Sequence, residues 1–351
     1  MASRFSGPGA PYEGLASGGR WTGRARFIPE ALDLPLRWRK PRRVFVNSMS
    51  DLFHEDVTDA EIAAVFGVMA ACPRHTFQLL TKRPERMREW FQWVRERPHP
   101  AEAALLEFAR ANGIARVTED PIITVWSHAY RELHRFSAWN WAWDHVNWPL
   151  PNVWLGVSAE DQARADERIP LLLAVPAAVR FVSCEPLIER VDLTEVQTSH
   201  DTRAEPLKGV YHVVHPPVPG VHNGGVESVS GGPKIDWVIV GGESGPRARQ
   251  MDLGWARSIV RQCKAAGTAV FVKQLGGHPY EHAPCLARNP DPEDILRVMD
   301  DAASEPPPKG WCRVHTPDGR QALYRYHRFS GAGADPAEWP ADLRRREFPT
   351  C

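Results

Sequence analysis

The chain has few of the residues that build metal-bound or disulfide-braced domains. Its six cysteines, Cys72, Cys184, Cys263, Cys285, Cys312 and Cys351, are spread through 351 residues without one C-x-x-C pair. From the residues alone that spacing supports no zinc ribbon, redox dithiol or iron–sulfur motif, and the thiols read as free rather than as a disulfide framework. Neither sign of charge predominates, because Lys plus Arg and Asp plus Glu both number 43. A global field drawing the chain onto nucleic acid or an acidic membrane is therefore excluded, and any such partner must be met by a local patch. Long hydrophobic runs are missing too. The most apolar stretch, IPLLLAVPAAV, is short and broken by proline, so the sequence reads as soluble and cytoplasmic, with no membrane partner.

What is present is a series of short apolar runs: RVFVNSM, TFQLLT, NVWLGVS, VRFVSCEP, DWVIVGGES and AVFVKQLG. They are nearly continuous rather than alternating, the pattern of parallel strands covered on both faces. Helical patterns lie between them. VTDAEIAAVFGVMAAC carries a capping-box spacing from Thr58 to Glu61, and MDLGWARSIVRQCKAAG offers Asp252 as an N-cap and Gly267 as a stop. Strand alternating with helix predicts an α/β fold. The prediction is an incomplete (β/α) barrel over residues 1–276, interrupted by insertions at 97–149 and 194–234, with 277–351 as a loop-rich extension packed on it. The first insertion is Trp-rich and reads as partly helical, while the second is rich in Pro, Gly and His and reads as a mobile loop.

Each apolar run ends in residues able to bind a ligand. These are Asn47, Ser48, Ser50 and Asp51; Thr81, Lys82 and Arg83; Ser158, Glu160 and Asp161; Ser183, Cys184 and Glu185; Gly241, Gly242, Glu243 and Ser244; and Lys273 with Gln274. Parallel strands bring their carboxyl ends to one edge, so groups distant in sequence can share a site. Turn and helix-cap roles compete for Ser48, Asp51, Ser158 and Asp161. Internal ion pairing competes for Lys82, Glu185, Glu243 and Lys273.

The segment WVIVGGESGPRAR, residues 237–249, lacks the spacing of a dinucleotide fingerprint or a phosphate loop. It reads as a strand end where two glycines admit a close ligand, Glu243 supplies a carboxylate, and Arg247 and Arg249 face an anion; a surface bend is the competing reading. HPYEHAPC sets His278, Glu281, His282 and Cys285 at short spacings, but Pro279 and Pro284 favour a polar loop over a metal-binding helix. LRWRKPRRVF combines Arg37, Arg39, Lys40, Arg42 and Arg43 with Trp38, as a nucleic-acid backbone contact or a solvated loop would. The tryptophans Trp139, Trp141, Trp143 and Trp148 suit either the core of the insertion or a surface that stacks on bases or on a protein partner.

Taken together, VFVNSMSDLFHEDV, TFQLLTKRPERM, WPLPNVWLGVSAEDQARADERIPLLL, VRFVSCEPL, DWVIVGGESGPRARQMDLGW, FVKQLG and WPADLRRREFP resemble a phage and bacterial family described by gene products thirty-seven and sixty-eight of mycobacteriophages. Its function is unknown, and its members look like radical S-adenosylmethionine enzymes. The resemblance implies a barrel of that type, with S-adenosylmethionine and an iron–sulfur cluster at the carboxyl edge. Asn47, Ser48, Asp51, Lys82, Ser158, Glu185, Gly241, Gly242, Glu243, Ser244 and Lys273 would then line the cofactor and substrate site. It also implies a first strand and a three-cysteine motif ahead of a segment like MASRFSGPGAPYEGL, where this sequence starts. The expectation is thus an N-terminally truncated chain, inactive in reductive cleavage as it stands, with a first strand and a metal motif missing. The substrate is unidentified, with nucleic acid the candidate. The competing expectation is a non-catalytic binding or scaffold protein that uses the strand-end site and the Trp-rich insertion.

Overall fold

The computed structural model describes residues 13–17, 20–96, 148–199, 202–215, 225–245, 247–282, 311–315, 321–326 and 334–349. The chain divides into two compact units, residues 1–157 with 171–180, and residues 158–170 with 181–351. The strands of the main sheet are β1 (Arg43–Val46), β2 (Thr76–Thr81), β3 (Val153–Ser158) and β4 (Val179–Cys184), then two more given below as β9 and β11. Their order in that six-stranded sheet follows the chain from β1 at one edge to β11 at the other. A doubly wound sheet would reverse its order at a switch point, so this mixed α/β arrangement is consistent with an incomplete (β/α) barrel.

In the first unit, β1 pairs in parallel with β2, and β2 with β3. All six residues of β3 are buried, as a strand covered on both faces requires. β1 lies at the sheet edge and alternates exposed with half-buried residues, leaving Phe45 42% exposed. Helix α1 (Asp59–Ala71) starts at the foreseen capping box: the Glu61 amide donates to Thr58 Oγ1, and the Thr58 amide donates to Glu61 Oε2 at 2.8 Å. Helix α2 (Pro84–Glu96) follows β2 and buries Met87, Trp90, Phe91 and Val94. Trp90 stacks on Phe66 with ring centroids 4.5 Å apart, and Trp148 meets Phe66, Phe91 and Trp90 edgewise or tilted. Trp148 therefore belongs to an aromatic core, whereas Trp139, Trp141 and Trp143 lie outside the described residues. Helix α3 (Gln162–Leu173), whose first nine residues belong to the second unit, is begun by Asp161, whose side chain accepts from the Arg164 amide at 2.9 Å.

Asn152 ties β3 to the end of α1. Its Nδ2 donates to the carbonyls of Met69, Cys72 and His75 at 2.8, 3.1 and 3.2 Å, adding to the amides of Cys72 and His75 that the first two already accept.

The second unit contains β5 (Val196–Ser199), β6 (Thr202–Glu205), β7 (Val210–His215) and β8 (Gly225–Ser230), an antiparallel sheet in which each strand pairs with the next. The loop expected over 194–234 is thus largely sheet. Pro206 and Gly209 lie in a turn and Gly231, Gly232 and Pro233 follow a strand end, while the short polar strands, exposed on one side, carry too little hydrophobic pattern to announce themselves. β9 (Trp237–Gly241) is fully buried and pairs in parallel with β4 and with β11 (Ala269–Gln274). Between them run the short β10 (Met251–Asp252) and helix α4 (Leu253–Ala266), capped by Asp252 accepting from the Gly254 amide at 2.7 Å and closed by Gly267 at φ 71°. β12 (Pro279–His282), β13 (Trp311–His315) and β14 (Gln321–Tyr326) form a further sheet with β10.

The last described segment shields the β11 edge. Val272 donates to the Arg345 carbonyl at 2.8 Å, Glu347 donates to the Val270 carbonyl at 3.0 Å, and Trp237 Nε1 donates to the Glu347 carbonyl at 2.9 Å. Trp339 is buried nearby, with the Arg346 guanidinium lying over both its ring and that of Phe271. An uncovered edge is a template for wrong pairing, and this tail removes it.

Replacing Asn152 by Ala is expected to destabilise the protein by about 1–3 kcal/mol, because several carbonyls lose one shared donor. Urea unfolding of the variant and the parent measures this; an unchanged midpoint would show that water replaces the amide without loss.

Candidate functional site

In the first unit the predicted residues gather at the carboxyl ends of β1 and β2, around Asp51. Its carboxylate accepts from the Phe53 amide at 3.0 Å, from Thr81 Oγ1 at 2.8 Å, from the Lys82 amide at 3.0 Å and from Arg83 Nη1 at 3.3 Å. Five contacts from four donors, Thr81 reaching both carboxylate oxygens, leave this group as a clamp joining two loops. Asn47, Ser48 and Lys82 stand exposed beside it, and Asn47 adopts φ 55°, the left-handed conformation that asparagine tolerates better than most residues. Ser158, at the end of β3 and the first residue of the second unit, is buried. Its carbonyl accepts from Arg168 Nη1 at 3.0 Å, and the same nitrogen meets Glu160 Oε2 at 3.1 Å. Arg168 was not foreseen, since nothing in its spacing within α3 links it to Glu160 eight residues earlier.

The second unit builds a tighter constellation. Glu185 follows β4, and its carboxylate receives Lys273 Nζ at 3.0 Å and Gln274 Nε2 at 3.1 Å, both from the end of β11. Gln274 also donates to the Gly242 carbonyl at 2.9 Å, so one amide links three strand ends. The turn after β4 is fixed independently, with the Leu187 amide donating to the Gly241 carbonyl at 2.8 Å and the Ile188 amide to the Glu160 carbonyl at 3.1 Å. Lys273 remains 55% exposed while Glu185 is 19% exposed, which leaves the ammonium open to an anion and the carboxylate largely enclosed.

The two glycines have separate reasons. A Cβ on Gly241 would come to 3.0 Å from the Glu185 side chain, and one on Gly242 would lie 2.5 Å from the Leu275 carbonyl oxygen. The protein itself fills the space over both, so close packing of neighbouring strand ends demands glycine here. Glu243 turns toward Arg249, accepting from its amide at 3.0 Å and its Nε at 2.7 Å. Those hydrogen bonds hold the Glu243 carboxyl below the usual glutamate range. Ser244 and Arg247 are exposed.

Burial sets Cys72, Cys184 and Cys263 apart from thiol chemistry. Cys72, Cys184 and Cys263 are fully buried, and burial raises the pKa of each, that of Cys263 to about 12. No three His, Cys, Asp or Glu side chains come together to hold a metal ion among the described residues. Glu281 of the HPYEH segment sits on a strand and pairs with Arg257 at 2.9 Å, while Cys285 lies outside the described residues. No helix among the described residues is long and apolar enough to cross a membrane.

Comparison with known proteins gives one match. A family model described as "Protein of unknown function (DUF5131)" covers residues 1–321. The chain belongs to this family. No curated protein and no solved structure matches it. DUF5131 membership spans both units and every predicted site residue. It assigns no chemistry, which must come from the side chains.

Two outcomes test this geometry. Gly242→Ala is expected to cost about 1–3 kcal/mol in urea unfolding, because the obstructing atoms are backbone and cannot swing aside; a cost near zero would mean the Leu275–Gly276 turn is loose. By carboxyl NMR titration, Glu243 should deprotonate below the ordinary glutamate midpoint. Its depressed pKa means that the stabilising pairing with Arg249 is present above the unfolded-state value and is lost as pH falls through the folded one. Arg249→Gln should move that midpoint up, and an unmoved midpoint would show that the pair does not persist in solution.

Proposed function

We propose that this DUF5131 member binds S-adenosylmethionine, or a substrate of similar zwitterionic character, at the strand-end constellation of Glu185, Glu243, Ser244, Lys273 and Gln274, which Gly241 and Gly242 allow to pack closely. The single observation behind this reading is that Lys273, a largely exposed cation, stands on a carboxylate fixed by a second strand-end donor. A free amino-acid end carries a carboxylate that the ammonium can receive and an ammonium that Glu185 or Glu243 can receive, so the site offers both charges a ligand of this class needs. The resemblance to radical S-adenosylmethionine enzymes and the chain-order sheet point to the same ligand. Asn47, Ser48, Asp51, Lys82 and Ser158 belong to that reading through the resemblance; Asp51 would act by positioning its loop.

The iron–sulfur cluster of such an enzyme does not fit the described residues. A cluster needs three thiolates with one iron left open, whereas Cys72, Cys184 and Cys263 are separately buried. No reductive step is assigned to them. The same observation favours a second reading, a binding or scaffold protein that keeps the strand-end site without cleaving the ligand.

Titration calorimetry with S-adenosylmethionine separates these possibilities. Saturable binding that weakens about tenfold or more in Lys273→Met supports the site, and no saturable binding up to about 1 mM overturns it. If the ligand binds, iron and sulfide analysis after anaerobic reconstitution chooses between enzyme and binding protein: about four irons per chain favours the first and none the second.

A further inference from the structure

At the opposite, amino-terminal ends of β1 and β2, the first unit carries a feature that the proposed ligand site does not use. Between Asp33 and Asp51 the sequence has no acidic residue but five cations, Arg37, Arg39, Lys40, Arg42 and Arg43. Arg37 is paired with Asp33. Arg39, Lys40 and Arg42 are exposed and make no ion pair among the described residues. The loop that holds them is fixed from both sides. Arg74 donates from Nε and Nη2 to the Trp38 carbonyl at 3.0 and 2.8 Å and to the Leu36 carbonyl at 2.9 Å. His75, which is buried, accepts the Arg42 amide on Nδ1 at 3.2 Å and has Nε2 3.1 Å from the Pro35 carbonyl, a pairing that places the ring proton on Nε2. The Arg42 amide and carbonyl are both engaged, the latter by the Thr76 amide at 2.9 Å, so the cations project from an ordered backbone. Little ordering is left to oppose association.

We infer that this amino-end loop is a binding surface for the phosphate backbone of nucleic acid. The charge is local in a chain whose total is balanced, and guanidinium, which grips phosphate with paired donors, predominates over ammonium. The Arg42 guanidinium lies over the Trp38 ring, 4.7 Å from its centroid, and covers a face on which a base would stack. Contacts therefore go to phosphates, and binding is independent of base sequence. The surface serves equally whether the strand-end site binds S-adenosylmethionine or not.

Fluorescence anisotropy of the full chain with a labelled DNA duplex of about 20 base pairs tests this. With Arg39, Lys40 and Arg42 each meeting a phosphate, the logarithm of affinity should fall against the logarithm of salt with a slope of about −3. Arg39→Gln with Lys40→Gln should reduce the slope by about 2, whereas Arg261→Gln with Lys264→Gln, the same charge change on exposed positions of α4, should leave it unaltered. Scrambling the duplex sequence should change nothing. The inference falls if the duplex does not bind at about 50 mM salt, if both double variants act alike, or if only anionic lipid vesicles bind.

Discussion

A parallel strand buried on both faces has nowhere to put a charge except at its ends, and the arrangement of this protein follows from that constraint. β3 and β9 are buried at every residue. Their backbone groups are satisfied by neighbours on each side, and their side chains by apolar layers, so ionisable groups are displaced to the loops where the strands stop. Because neighbouring strands run in the same direction, those loops meet. Glu185, Lys273 and Gln274 come from two strands that flank β9, and they find one another across its glycines.

That convergence makes the strand ends interdependent. Gly241 leaves room for Glu185, Gly242 leaves room for the Leu275 turn, and Gln274 holds both the carboxylate and the Gly242 carbonyl. Packing of this kind uses the conformational freedom and small size of glycine for internal fit rather than for ligand approach. The polar residues there divide into those already committed, such as Asp51 and Gln274, and those with a substantial exposed part, such as Lys273 and Ser244. Only the second group can exchange a partner for a ligand at modest cost.

The amino ends of β1 and β2 show a different use of the same order. There His75 and Arg74 spend their donors and acceptors on backbone groups, and Arg39 and Lys40 are left outward and exposed. Polar groups that close the backbone and charged groups left on the surface are thus separated at both ends of the strands.

Local sequence determined the helices and buried strands, because caps and apolar runs act over a few residues: Thr58 with Glu61, Asp252, Gly267 and the run through β9 all took the places their chemistry dictates. It also named the strand-end residues, Glu185, Glu243 and Lys273 among them. It did not reveal the antiparallel strands between 194 and 234, whose short polar pattern lacks a buried face on each side. Nor could it show which polar groups meet. Arg168 with Glu160, Arg249 with Glu243, and the tail that seals β11 depend on backbone paths that only the folded chain fixes. Spacing along a chain records local geometry, whereas partnership across strand ends is decided by where tertiary packing brings those ends.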